Sequence, residues 1–78
     1  MTPAQCRAAR GLLDWTQAKL AEAARLALAT MVKFERNGRY MPTGAIKAMR
    51  LVFEAAGVEF IPENGSGEGV RLQKGKLQ

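Results

Sequence analysis

Apolar residues near the start of the chain recur at helical spacing. Cys6, Ala9 and Leu13 follow one another at steps of three and four, with Leu12 beside them, while Arg7 and Arg10 lie off the stripe. That is the pattern of a helix with one buried face. Thr2 is a capping residue, Pro3 suits the first helical position, and Gln5 stands where a capping box places Glu or Gln. Gly11 weakens the last turns by up to about 1 kcal/mol relative to Ala, and the helix is expected to stop around Asp14. Trp15-Thr16 then opens a second segment, with Thr16 as cap and Trp15 placed to pack on Leu20 as a hydrophobic staple.

Residues 21 to 32, "AEAARLALATMV", contain no Gly, Pro or Asn, and only Glu22 and Arg25 are charged. They admit two readings. In one unbroken helix from Gln17 to Phe34, Leu20, Met31 and Phe34 share a face, but Leu26 points more than a right angle away from them. A break near Arg25 lets a second helix contribute Leu20 and Ala24 and a third, from about Ala27, contribute Met31 and Phe34, with Leu26 buried in the turn. Periodicity favours the break only mildly, because alanine on both sides tolerates either register.

"NGRYMPT", residues 37 to 43, reads as a loop, with Asn-Gly as turn signal, Pro42 as stop and Thr43 as the next N-cap. A fourth helix follows, with Ile46, Met49, Val52, Phe53 and Ala56 on its apolar face, Lys47, Arg50 and Glu54 on its wet face, and Gly57 placed to end it. The period then changes from helical to alternating. Val58-Glu59-Phe60-Ile61 and Val70-Arg71-Leu72-Gln73, separated by the Gly-rich "PENGSGEG", predict a β-hairpin with Val58, Phe60, Val70 and Leu72 on its apolar face. The expected fold is therefore mainly α: four helices over residues 1–57, a hairpin over 58–73, and a flexible tail over 74–78.

A chain of 78 residues makes one small domain, burying only about 60% of the surface exposed when unfolded. The lone cysteine, Cys6, allows no internal disulfide and reads as a small buried apolar residue. With no apolar run long enough for a membrane span and no export signal at the N-terminus, a cytoplasmic location is expected. The net charge is +5, and residues 1–42 carry seven basic and three acidic side chains against five and four in 43–78. That bias points a polyanion toward the first half. The chain has no His and no Gly-rich phosphate loop between a strand and a helix. No nucleophile–base pair, metal cluster or nucleotide cradle can be assembled, so neither enzyme activity nor a cofactor is expected.

"TQAKLAEAARLALATMVKFERNG" resembles the helix-turn-helix of the phage repressor/Cro, or xenobiotic-response-element, family. The similarity covers about residues 2 to 56. It rests on the Thr-Gln that opens the second helix, Ala21 at the helix–helix contact, Met31 and Phe34 as core, then Glu35 and a basic, Gly-containing loop ending at Pro42. It implies the hidden turn, hence a lambda-repressor-like domain of four helices, with a hairpin where many members carry another short helix. It implies an ion pair between Arg10 and Glu35. The third helix is implied to lie in the major groove of double-stranded DNA with Leu28, Ala29 and Lys33 toward base edges, flanked by Ala27 and Val32. Gln17 is implied to hydrogen-bond a phosphate, and Arg36, Asn37, Arg39 and Tyr40 to grip the backbone.

Two departures from the family pattern stand out. Arg25 replaces the turn glycine, at a cost of roughly 1 kcal/mol or more for a left-handed non-Gly residue. Ala27 stands where Ser or Thr would cap the third helix, leaving an unusually apolar reading face. A hairpin with free edges invites pairing with a second copy, burying Phe60 and Ile61 and supplying the symmetry of an inverted-repeat operator; the alternative is that it folds back over the fourth helix. The expected function is a homodimeric, sequence-specific bacterial or phage transcription regulator, a repressor or autoregulator of the kind mobile elements encode. The alternative is a protein-interaction module, such as an antitoxin or antiactivator, with DNA binding secondary.

Overall fold

The computed structural model describes residues 1–38 and 41–73. It contains α1 (Pro3–Leu13), α2 (Gln17–Ala24), α3 (Leu28–Asn37), α4 (Thr43–Ala55), β1 (Val58–Ile61) and β2 (Gly69–Leu72). Four helices are thus followed by a two-stranded antiparallel hairpin, as expected. Residues 74–78, expected as a tail, lie outside the described residues, as do Arg39 and Tyr40.

The start of α1 follows its sequence signals. The Thr2 hydroxyl accepts from the Gln5 amide at 3.1 Å, and Gln5 Oε1 accepts from the Thr2 amide at 3.0 Å, closing the capping box. At the other end Asp14 turns left-handed (φ 58°), and the Trp15 amide reaches back to the Arg10 carbonyl at 2.9 Å. This crossed pattern of end bonds satisfies carbonyls that the helix itself leaves without donors.

The same device closes α2 and answers the question left by residues 21 to 32. Arg25 is left-handed (φ 58°, ψ 46°), its amide bonds the Glu22 carbonyl at 3.2 Å, and the Leu26 amide bonds that of Ala21 at 2.9 Å. The chain breaks where Leu26 needs it to, although Leu26 ends half-buried. Because an L-residue with a bulky side chain is strained there, Arg25→Gly is expected to raise stability by about 0.5–1 kcal/mol after the added freedom of the unfolded glycine is deducted. Thermal melts should show a rise of roughly 3–6 °C for a domain of this size; a fall would mean that the exposed Arg25 side chain contributes more than its backbone costs.

Three details differ from expectation. Pro42, not Thr43, is the N-cap of α4: its carbonyl accepts from the Ala45 and Ile46 amides at 2.9 and 3.2 Å, and no side chain caps the helix. Proline's fixed φ already holds the extended cap geometry, so Thr43 enters the first turn instead. Strand β2 begins one residue early, at Gly69, because Ile61 pairs with Gly69 in the hairpin register. Leu12 lies on the exposed side of α1 at 40% exposure.

The core forms where α1, α2, α3, α4 and the hairpin meet. Phe53, Leu20, Met31, Met49, Val58 and Cys6 are fully buried. Trp15 stacks on Phe53 at 5.9 Å between ring centroids, and Phe60 meets Phe53 edge-on at 6.0 Å. The expectation that Phe60 awaits a second subunit is therefore corrected. Val58 and Phe60 alternate onto the face that packs against α4, so Phe60, 8% exposed, is already covered by its own chain. Gln5 fixes the hairpin further, its Nε2 donating to the Ile61 and Gly69 carbonyls at 3.3 and 3.0 Å. Among the described residues, no helix is long and apolar enough to cross a membrane.

Candidate nucleic-acid interface

The position of α3 is set by one buried carboxylate. Glu35, near the end of α3, is 2% exposed, and three side chains from α1 and α2 converge on it. Arg10 grips it with both prongs, Nη2 to Oε1 at 2.6 Å and Nε to Oε2 at 2.7 Å. The ion pair implied by the family resemblance is thus present. Gln17 Nε2 donates to Oε1 at 3.0 Å, and the Cys6 thiol donates to Oε2 at 3.0 Å. Arg7 donates to the main-chain carbonyl of Glu35, while Arg10 Nη1 also reaches the Trp15 carbonyl at 3.1 Å. The end of α3, the body of α1 and the first turn of α2 are pinned together at one point.

The electrostatics of the cluster follow from burial and partners. Burial alone would push the Glu35 carboxyl up, but hydrogen bonds from Arg10, Cys6 and Gln17, with the Arg10 charge, outweigh it and hold the carboxyl below its ordinary value. The Cys6 thiol is pushed far up, first by burial and then by its bond to Glu35. It stays protonated, and that keeps it a donor. Hydrogen bonding to Glu35 likewise raises the Arg10 guanidinium against the opposing effect of burial. No buried side-chain nitrogen or oxygen among the described residues lacks a partner.

The outer surface of α3 is left free by this clamp. Met31 and Phe34 face inward, 0% and 5% exposed, while Leu28 is 47% exposed at the leading end. Ala29, Lys33 and Arg36 are exposed and fall at spacings of four and three, forming one strip with Leu28 and the half-buried Val32. Ala27 is exposed at the N-cap, where no side chain bonds the first-turn amides. Five of the expected interface residues, Ala27, Leu28, Ala29, Lys33 and Arg36, are therefore at the surface of one helix, and Val32 borders them.

Gln17 is placed differently from the rest. It opens α2 but is half-buried, with its amide turned to Glu35 rather than outward. Arg39, Tyr40 and the side chain of Asn37 lie outside the described residues. Reading the sequence missed Cys6, Arg7 and Gln5 as hydrogen-bond donors. The signal was available for Cys6: a buried carboxylate has more lone pairs than one Arg fills, and Cys6 lies one turn before Arg10 on the same helix. Among the described residues no group of three or more acidic, Cys or His side chains gathers in a way that would hold a metal ion.

Neither the models of known protein families nor the curated proteins contain a match to this chain.

Proposed function

We propose that the chain is a sequence-specific regulator of transcription that binds double-stranded DNA, with α3 entering the major groove. The observation that carries this reading is the exposed strip Leu28–Ala29–Lys33–Arg36 on a short helix whose opposite side is buried through Met31 and Phe34 and whose end is clamped through Glu35. An α-helix is about 10–12 Å across with its side chains, which matches the roughly 12 Å width of the major groove, and its N-terminal residues are the ones that approach base edges in such docking. Lys33 supplies a donor for guanine O6 or N7, Leu28 and Ala29 supply apolar contact for thymine methyls, and Arg36 supplies a phosphate contact. Gln17 retains a second amide hydrogen for a phosphate after serving Glu35. The +5 charge adds attraction that carries no sequence information. An inverted-repeat operator, bound by two copies, and repression of a neighbouring promoter complete the reading, which involves no catalysis.

One observation favours a second reading. Leu28, half-exposed at the head of α3 beside Ala29, would equally suit a protein partner, as in an antitoxin or antiactivator. Selection from a randomised DNA pool, followed by salt titration of the winning fragments, separates the two. An enriched inverted repeat is expected, with log affinity falling against log salt by about 0.9 for each phosphate neutralised. A pool that returns no common sequence, with a slope near zero, would reject DNA reading in favour of the protein partner.

A further inference from the structure

Helix α4 uses one face inside the chain and leaves another bare. Met49 and Phe53 point into the core, whereas Leu51, on the opposite side, is 66% exposed, more than either Leu12 or Leu28. It stands in a shallow groove of about 380 Å³ whose other walls are Lys47, Arg50 and Glu54. Of the two residues expected to meet a second copy, Phe60 is buried in its own chain and Ile61 is half-buried, whereas Leu51 is bare.

The charges around Leu51 say what fits there. Arg50 is committed to its own chain: its guanidinium lies 5.2 Å from the centre of the Phe60 ring, and its Nε donates to Glu54 Oε2 at 3.0 Å. Glu54 keeps 41% of its side chain exposed and has lone pairs for a second cation. Lys47 precedes it by two helical turns and so lies on the same flank of Leu51. Among the described residues the ion pairs are Arg10–Glu35, Arg50–Glu54 and Glu59–Arg71, none of which uses Lys47.

Now set a second α4 antiparallel to the first, with a two-fold axis passing between the two Leu51 side chains. Positions about equally far on either side of the axis are then opposed. Lys47 of each copy meets Glu54 of the other, so one surface complements itself, as an isologous contact requires. In-register parallel helices would instead set Lys47 near Lys47 and Glu54 near Glu54. We propose that this face of α4 is where two copies of the chain associate, Leu51 against Leu51, flanked by two Lys47–Glu54 pairs. A contact centred on one exposed Leu from each copy and flanked by surface ion pairs is weak in free solution. Its use on DNA rests on the functional reading above: two adjacent half-sites raise the effective concentration of one copy for the other.

Sedimentation equilibrium of the full chain without DNA tests the contact itself. Wild type is expected to shift from monomer toward dimer across the micromolar to millimolar range. Leu51→Glu should remain monomeric with an unchanged circular dichroism spectrum, because residue 51 is exposed. Lys47→Glu and Glu54→Lys should each weaken association several-fold, and the double exchange should restore it. A wild type that stays monomeric throughout overturns the proposal. So does dimerisation of Leu51→Glu at the wild-type concentration, which would move the contact elsewhere, to the free edge of the hairpin for example. A double exchange no better than its singles overturns the antiparallel pairing. None of these results depends on DNA, so failure of the α4 contact and failure of DNA reading remain distinguishable. If both hold, Leu51→Glu binds a single half-site duplex like wild type and loses only the cooperative gain on an inverted repeat.

Discussion

Replacing Glu35 with Ala is expected to destabilise the chain by about 3 kcal/mol, the lower end of what breaking one side of a buried ion pair costs, because Arg10 keeps 18% of its side chain in water. A domain of this size holds on the order of 4–12 kcal/mol in total, so the melting temperature should fall by roughly 12–24 °C. The loss goes beyond one pair, since Arg10, Gln17 and the Cys6 thiol would all be left without their acceptor. Arg10→Met combined with Glu35→Leu should recover part of the loss, because no unpaired charge then remains buried. A fall of only a few degrees in Glu35→Ala would show that the clamp does not hold α3 in place.

The same cluster predicts the response to acid. Glu35 is held below its ordinary value of 4.5 because its donors outweigh the effect of burial. A carboxyl that is more acidic when folded contributes stability that is fully present above the unfolded value and is lost as pH falls through the folded one. Wild type should therefore lose stability below about pH 4.5 more steeply than Glu35→Ala, and the two curves should converge in acid. Glu59 is also held low, by Arg71, and Glu63 by the amides of Gly65 and Gly67. Both are common to the two proteins, so the difference between melts reports on Glu35.

What could be read from the chain divides by the range of the forces involved. The start of α1 was legible in full, because a capping box is written within four residues and its geometry is local. The break at Arg25 was not legible locally, because no residue there prefers a left-handed backbone; the burial needed by Leu26, which depends on residues far along the chain, argued for it only mildly, and the resemblance to a helix-turn-helix supplied the rest. Thr43 misled for a related reason: Pro42 reads as a stop, yet its fixed φ holds the extended geometry of a cap and lets it take that place one residue earlier. The hairpin's alternation correctly gave the inward face as Val58, Phe60, Val70 and Leu72, paired in register. Alternation says which residues share a face and not what covers that face, so Phe60 was assigned to a second subunit when Phe53 was its partner. At the candidate interface, exposure of Lys33 and Arg36 followed from the burial of Met31 and Phe34. The inward turn of the Gln17 amide did not follow from anything local, because it depends on where α3 places Glu35.

Reversing both charges of the α3 strip, Lys33→Glu with Arg36→Glu, should abolish specific DNA binding while leaving the fold intact. Both side chains are exposed and neither belongs to the ion pairs described above, so stability should move by no more than about 0.5 kcal/mol. Each reversal removes a favourable contact and adds repulsion toward the phosphates, and together they should weaken binding by on the order of 10²–10³-fold near 0.1 M salt. The single truncations then divide the labour. Lys33→Ala should relax preference at one base position by about 1–3 kcal/mol, whereas Arg36→Ala should weaken all sequences alike and reduce the salt slope by about 0.9. Gel-shift titrations at several salt concentrations read all of these differences. Binding that survives the double reversal would place the DNA contact away from α3, and the exposed Leu28 would then be better explained as the start of a protein-binding surface.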